Sequence, residues 1–271
     1  MQAINSMNNR SASYLAMGQD MEAIELLRET FALLSDECNS IMEEEEIQQC
    51  PKHLVEPPFS VPLVNAVVGN ASILVPLFNA NSVTVGNTLS ESSFVYNNGF
   101  ILTHKSGAAA AADHHHHCHR DHDIAIMSAT VIYNTALAYH RMALSAARRM
   151  SPCCNSGGWI YKAQTFYQQA IELSLLEIQS TTAGLDHDAT VAIAVASYNN
   201  LGQINFDLLS DVDTARRCFE SVSYLLLQRS AALSYSCESQ EENPFSPQDW
   251  EGILSNLVFV DISTASVAAA A

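Results

Sequence analysis

Residues 129–173 read ATVIYNTALAYHRMALSAARRMSPCCNSGGWIYKAQTFYQQAIEL. In the first half Ile132, Ala136 and Tyr139 recur at helical spacing and so share one face. Ala163, Tyr167 and Ala170 do the same in the second half. Pro152, Gly157 and Gly158 interrupt the pattern between them. The alanines let two antiparallel helices approach closely, and the tyrosines fill the space the alanines leave. The stretch predicts a helical hairpin.

Working outward, Ile4 to Leu34 reads as a pair of helices around Gly18, which tolerates the positive φ of a tight turn, with Asp20 as a cap for the second helix. Thr190 to Gln228 reads as another pair. Asp211 or Asp213 caps its second helix, and Gly202 sits where the two helices touch, near Phe219. Ser246-Pro247-Gln248-Asp249 opens a last helix by cap-plus-proline chemistry, with Trp250, Ile253, Leu254, Leu257 and Val258 on its buried side. Between the first and second pairs the character changes. Ser35 to Pro58, with the run Glu43 to Glu46, reads as an acidic linker. Val61 to His104 is β-branched and aromatic, with Asn98-Gly99 as a hairpin turn and Pro62 and Pro76 confining their runs to edges. Lys105 to Asp123 is an alanine run followed by a His-rich loop.

The fold class expected is therefore mainly α: antiparallel helix hairpins with a small β-ribbon insertion and a C-terminal capping helix. The organisation expected is a first helix pair at 1–36, an insertion at 37–123, second and third pairs at 124–235, and a capping helix with its tail at 245–271.

The 271 residues carry a formal charge of −17, with only 12 Lys and Arg, which argues against a nucleic-acid partner. No apolar run approaches the ~20 residues that span a bilayer, so no membrane partner is expected. The opening MQAINSMNNR has no apolar core of a secretory signal. Seven cysteines at irregular spacing read as reduced thiols. These features point to a cytoplasmic or nuclear protein.

Laid over one another, the three pairs share an order of small residue, large apolar residue, turn, Ala, and an aromatic or Leu four residues later. The third has Leu201-Gly202 and Ala215-x₃-Phe219; the second has Ala136-x₂-Tyr139 and Ala163-x₃-Tyr167-x₂-Ala170; the first has Ser11-x₂-Tyr14, Gly18 and Ala23-x₃-Leu27. In this the chain resembles the tetratricopeptide repeat family, in degenerate copies. It departs from the family in lacking the Trp and the closing Pro in all three copies, and Asn205 stands where the third copy should have Tyr. The resemblance implies a concave groove, lined by the first helix of each pair, that takes up a partner peptide. The positions it assigns to that groove are Asn5, Asn8 and Asn9 in the first copy, and Thr130, Tyr133, Asn134, Leu137 and Arg141 in the second. Asn199, Asn200, Gln203 and Phe206 follow in the third. Asparagine suits such a task because its amide both donates to and accepts from a peptide backbone.

The function expected is that of a non-catalytic interaction module or scaffold with a protein or peptide partner and no cofactor. No phosphate-binding, dinucleotide-binding, nucleophile-elbow or zinc-protease motif occurs. One alternative is a metal- or pH-responsive protein using the tract His114, His115, His116, His117, Cys118, His119 and His122. Those are metal-ligand types, but an alanine-flanked tract supplies no fixed tetrahedral geometry, and consecutive histidines bind metal weakly in any setting. Another is an enzyme with an unrecognised site. His140, Arg141, Arg148 and Arg149 form a local excess of positive charge that either complements a helix C-terminus or receives an acidic peptide.

Overall fold

The computed structural model describes residues 1–48, 72–76, 94–104, 118–148, 156–180, 187–235 and 245–270. The described residues are mainly helical. In chain order the elements are α1 (Gln2–Ala16), α2 (Asp20–Gln48), β1 (Ser72–Pro76), β2 (Phe100–His104), α3 (Cys118–Arg148), α4 (Ser156–Ser180), α5 (His187–Gln203), α6 (Val212–Tyr235) and α7 (Pro247–Ala270).

Gly18 turns the chain between α1 and α2 at φ 75°. Its N–H donates to Leu15 O at 3.0 Å and the Gln19 N–H reaches Tyr14 O at 2.9 Å, which closes the end of α1 in a Schellman motif. Asp20 begins α2, but its carboxylate is directed at the Arg141 guanidinium, 3.0 Å away, rather than at the helix N-terminus. No Gly or Pro occurs between Asp20 and Gln48, and α2 runs through Glu43–Glu46 as helix, so this part of the expected linker is helical instead.

The end of α5 loosens into a π-helical turn over Ile204–Leu208, where the Leu209 N–H bonds to Ile204 O at 3.1 Å. Asp211 then accepts the Thr214 N–H at 3.0 Å and caps α6. Gly202 faces the Phe219 ring so closely that a Cβ there would lie 2.7 Å from it. The Ser246 and Asp249 side chains cap α7 reciprocally: Asp249 Oδ2 accepts the Ser246 N–H at 3.0 Å, and Ser246 Oγ accepts the Asp249 N–H at 3.1 Å.

Each helix packs on the next in chain order, and α3 also touches α1 and α5 directly. The core lies along this stack. Its centre is aromatic: the Phe100 ring sits 4.9 Å from Tyr133, and Tyr133 5.8 Å from Tyr167. Four of the core residues, Tyr96, Phe100, Leu102 and Phe245, belong to no helix.

Three expectations change here. Asn98-Gly99 makes no hairpin turn: Phe94–Gly99 is irregular backbone that leads into β2, and Gly99 does not adopt positive φ. The partner of β2 is β1, antiparallel, with Pro76 opposite Phe100 and Ser72 opposite His104. The expected His-rich loop ends earlier than Asp123, since α3 begins at Cys118 and takes in His119 and His122, while His114–His117 and Cys153–Cys154 lie outside the described residues. On α7, Trp250, Ile253 and Leu257 are turned inward, but Leu254 and Val258 are exposed.

Candidate functional site: an asparagine ladder around an extended segment

Residues 94–102 pass across the odd-numbered helices in reverse order, from α7 to α1. Four asparagines grip them, each holding both the N–H and the C=O of one residue. Asn256 on α7 accepts the Phe94 N–H at 2.6 Å and donates to Phe94 O at 2.8 Å. Asn200 on α5 does the same for Tyr96, at 2.8 and 2.9 Å. Asn134 on α3 holds Phe100 at 2.9 Å on both sides, and Asn9 on α1 holds Leu102 at 2.7 Å on both. The spacing has a physical reason. Along an extended chain alternate residues direct their backbone groups to the same edge, so 94 and 96 pair with one side of the helix stack, and 100 and 102 do likewise. The opposite edge of β2, at Ile101 and Thr103, faces Val75 and Ile73 of β1.

Two more asparagines tie the ladder together. Asn8 donates to Phe100 O at 3.2 Å and accepts the Asn134 amide at 2.9 Å. Asn199 donates to Phe94 O at 3.1 Å and accepts the Asn256 amide at 2.7 Å. Between the paired rungs the Tyr133 hydroxyl donates to Tyr96 O at 3.2 Å. A buried amide without partners is costly, and here both ends of each side chain are used.

A buried polar chain supports the Asn200 rung from behind. Gln203 Nε2 donates to Asp207 Oδ2 at 2.6 Å, which leaves Gln203 Oε1 to accept from His140 Nε2, also at 2.6 Å. His140 thereby carries its proton on Nε2, and Nδ1 accepts from the Tyr167 hydroxyl at 3.3 Å. The Tyr167 oxygen in turn accepts from Asn200 Nδ2 at 3.0 Å. Burial pushes the His140 pKa down to about 4, against the smaller upward pull of its bond to Gln203, so the imidazole is neutral. Burial raises both Tyr133 and Tyr167 far above the ordinary phenol range, and both remain donors.

The positions that the resemblance assigned to a groove divide into two sets. Asn8, Asn9, Tyr133, Asn134, Asn199 and Asn200 converge on residues 94–102. The others take up different work. Asn5 is buried on α1, and Thr130 bonds back to Ile126 O within α3. Leu137 is core, and Arg141 holds Leu15 O at 2.7 Å as well as Asp20. Gln203 orients His140, and Phe206 packs on Ala215 and Phe219. With His140 buried and Arg141 engaged, these two side chains do not form a basic patch open to an acidic peptide. What the six meet is a segment of the chain itself, residues 94–102. Asn256 is a rung outside the positions that the resemblance assigns, on the helix expected to serve as a cap. Its sequence signal is an asparagine one turn beyond Gly252, and in the structure it is buried on the inward face of α7.

Neither a protein-family model nor a curated protein nor a solved structure matches this chain. Among the described residues no helix is long and apolar enough to cross a membrane.

Proposed function

We propose that this chain is a non-catalytic peptide-recognition module built from tetratricopeptide-like helix hairpins. Its groove grips an extended backbone, and residues 94–102 are the occupant at rest. Supporting this is the economy of the ladder: asparagines on four different helices hold four backbone residues by the same two-bond geometry. Such contacts read an extended main chain rather than one particular side chain, as strand-adding recognition domains do. On this reading α7 is the first helix of a fourth unit, and α1, α3, α5 and α7 line the groove. A partner gains access by displacing the resident segment, so its apparent affinity is reduced by the fraction of molecules in which the groove is filled.

The test uses a fluorescent peptide of residues 92–104 added in trans. The intact chain is expected to bind it weakly. A Phe100→Asp chain, whose own segment is expelled by a buried charge, is expected to bind with micromolar Kd, about 8 kcal/mol, and to regain thermal stability on binding. Adding Asn134→Ala and Asn200→Ala should abolish the signal. Absence of both binding and stabilisation in the Phe100→Asp chain would overturn the proposal.

A further inference from the structure

The rungs hold any backbone, but the space around the resident segment does not accept any side chain. Tyr96 is fully buried, its ring 5.1 Å from Phe245 in an edge-on contact and 5.7 Å from Phe100. Its buried hydroxyl has only the half-buried Asn98 side chain beside it, in poor alignment for a hydrogen bond, so phenylalanine fits the same place at little cost. Phe100 is enclosed against Tyr133, and Leu102 is buried beside the Asn9 rung. Gly99 admits nothing larger with ease: a Cβ there would lie 3.2 Å from Ala12 Cβ and 3.2 Å from Asn134 Oδ1. At the other end the Phe94 ring covers Gly252 so tightly that any Cβ on Gly252 would strike it. Asn97 by contrast is exposed.

We infer that the groove selects peptides of the pattern aromatic-x-aromatic-x-x-glycine-aromatic-x-aliphatic, entering with their N-terminal aromatic at α7 and their aliphatic residue at α1. This specificity rests on the peptide-recognition reading above. Glycine is demanded at the sixth place because α1 and the Asn134 amide close over it. The polarity comes from the order of the pockets, since each asparagine rung is indifferent to chain direction.

The experiment measures binding of variant 92–104 peptides to the Phe100→Asp chain. A Tyr96→Phe peptide is expected to bind as tightly as the parent or tighter, and an Asn97→Lys peptide equally well. Phe100→Ala and Gly99→Ala peptides should each bind about tenfold more weakly or worse, and a peptide of reversed sequence should not bind. Ala12→Gly in the protein should recover part of the affinity lost by the Gly99→Ala peptide, which a general effect on peptide conformation would not do. If the variant peptides bind like the parent, the pattern is wrong while peptide recognition stands. If even the parent peptide fails to bind, the recognition reading falls and the pattern with it.

Discussion

The inner and outer helices of this molecule reverse the usual placement of polar and apolar groups. On α1, α3 and α5 the side chains of Asn8, Asn134, Asn199 and Asn200 have no exposure at all. On α4 and α6, Tyr161, Leu176, Tyr224 and Leu227 lie largely open to solvent. The difference teaches that burial here follows hydrogen-bond satisfaction as much as hydropathy. An asparagine amide matched to a backbone N–H and C=O is at home in the interior, and it also fixes where the segment sits, which a greasy contact does less well.

The comparison breaks most sharply at Asn200. Asn200→Leu leaves the Tyr96 N–H without a partner, at a cost of about 1–3 kcal/mol, leaves Tyr96 O with the Tyr133 hydroxyl as its remaining donor, and removes a donor from Tyr167. A total of roughly 2–4 kcal/mol is expected in urea denaturation. A cost no larger than that of a surface substitution would mean the inner asparagines do not hold the segment.

The next effect comes from pH. His140 is held near 4, against 6.5 in the unfolded chain, so the unfolded chain takes up the extra proton between those values. The contribution of the neutral imidazole is complete above pH 6.5 and is lost as the pH falls towards 4. Between pH 7 and pH 5 the loss should be about 2 kcal/mol. A His140→Gln chain should show a flatter dependence over the same range, and equal slopes in the two chains would place the effect elsewhere.

Gly202→Ala comes third. Its Cβ would meet the Phe219 ring at 2.7 Å, so crowding outweighs the ~1 kcal/mol gain in helix propensity and a net loss of about 1 kcal/mol is expected. This differs from the forecast that propensity alone makes. In a Phe219→Leu background the same substitution should become neutral or stabilising, as read from thermal melts.

The smallest effect belongs to the outer face. Leu227→Ser should change stability by no more than about 0.5 kcal/mol. A larger loss would show that the exposed leucine is covered in solution.

The helices were legible because small and aromatic residues recur at helical spacing on either side of Gly18 and the Asp211 cap; Gly157 and Gly158, expected to interrupt the pattern, instead lie in the first turn of α4. The six groove positions that reach the segment were legible only through the resemblance, which assigns the first helix of each pair to a groove; five of them are asparagine, whose amide suits a peptide backbone. The occupant was not. Local pattern in FVYNNGFIL favours a hairpin at Asn98-Gly99, and only the distant α1 and α3, pressing on Gly99 through Ala12 and Asn134, require that glycine for a different reason. Leu254 and Val258 are exposed for a related cause. Their helical phase suits burial, but the inward face of α7 is set by Gly252 and Asn256, which meet Phe94.

The path of residues 94–102 also changes how the molecule comes apart. A stack in which each helix leans chiefly on its chain neighbours can melt piecemeal from its ends. Here one segment is bonded to α7 across 162 residues of sequence and to α1 across 93, so it acts as a drawstring through the stack. Loosening either terminal helix slackens the cord. With a strand in the ladder, its own or a partner's, the stack is therefore expected to unfold as one cooperative event, whereas the chain whose cord is expelled is held by neighbouring-helix contacts alone and should melt lower and more gradually. Folding of the corded form is expected to be slow for a helical chain, because the drawstring is tied only after long loops have closed.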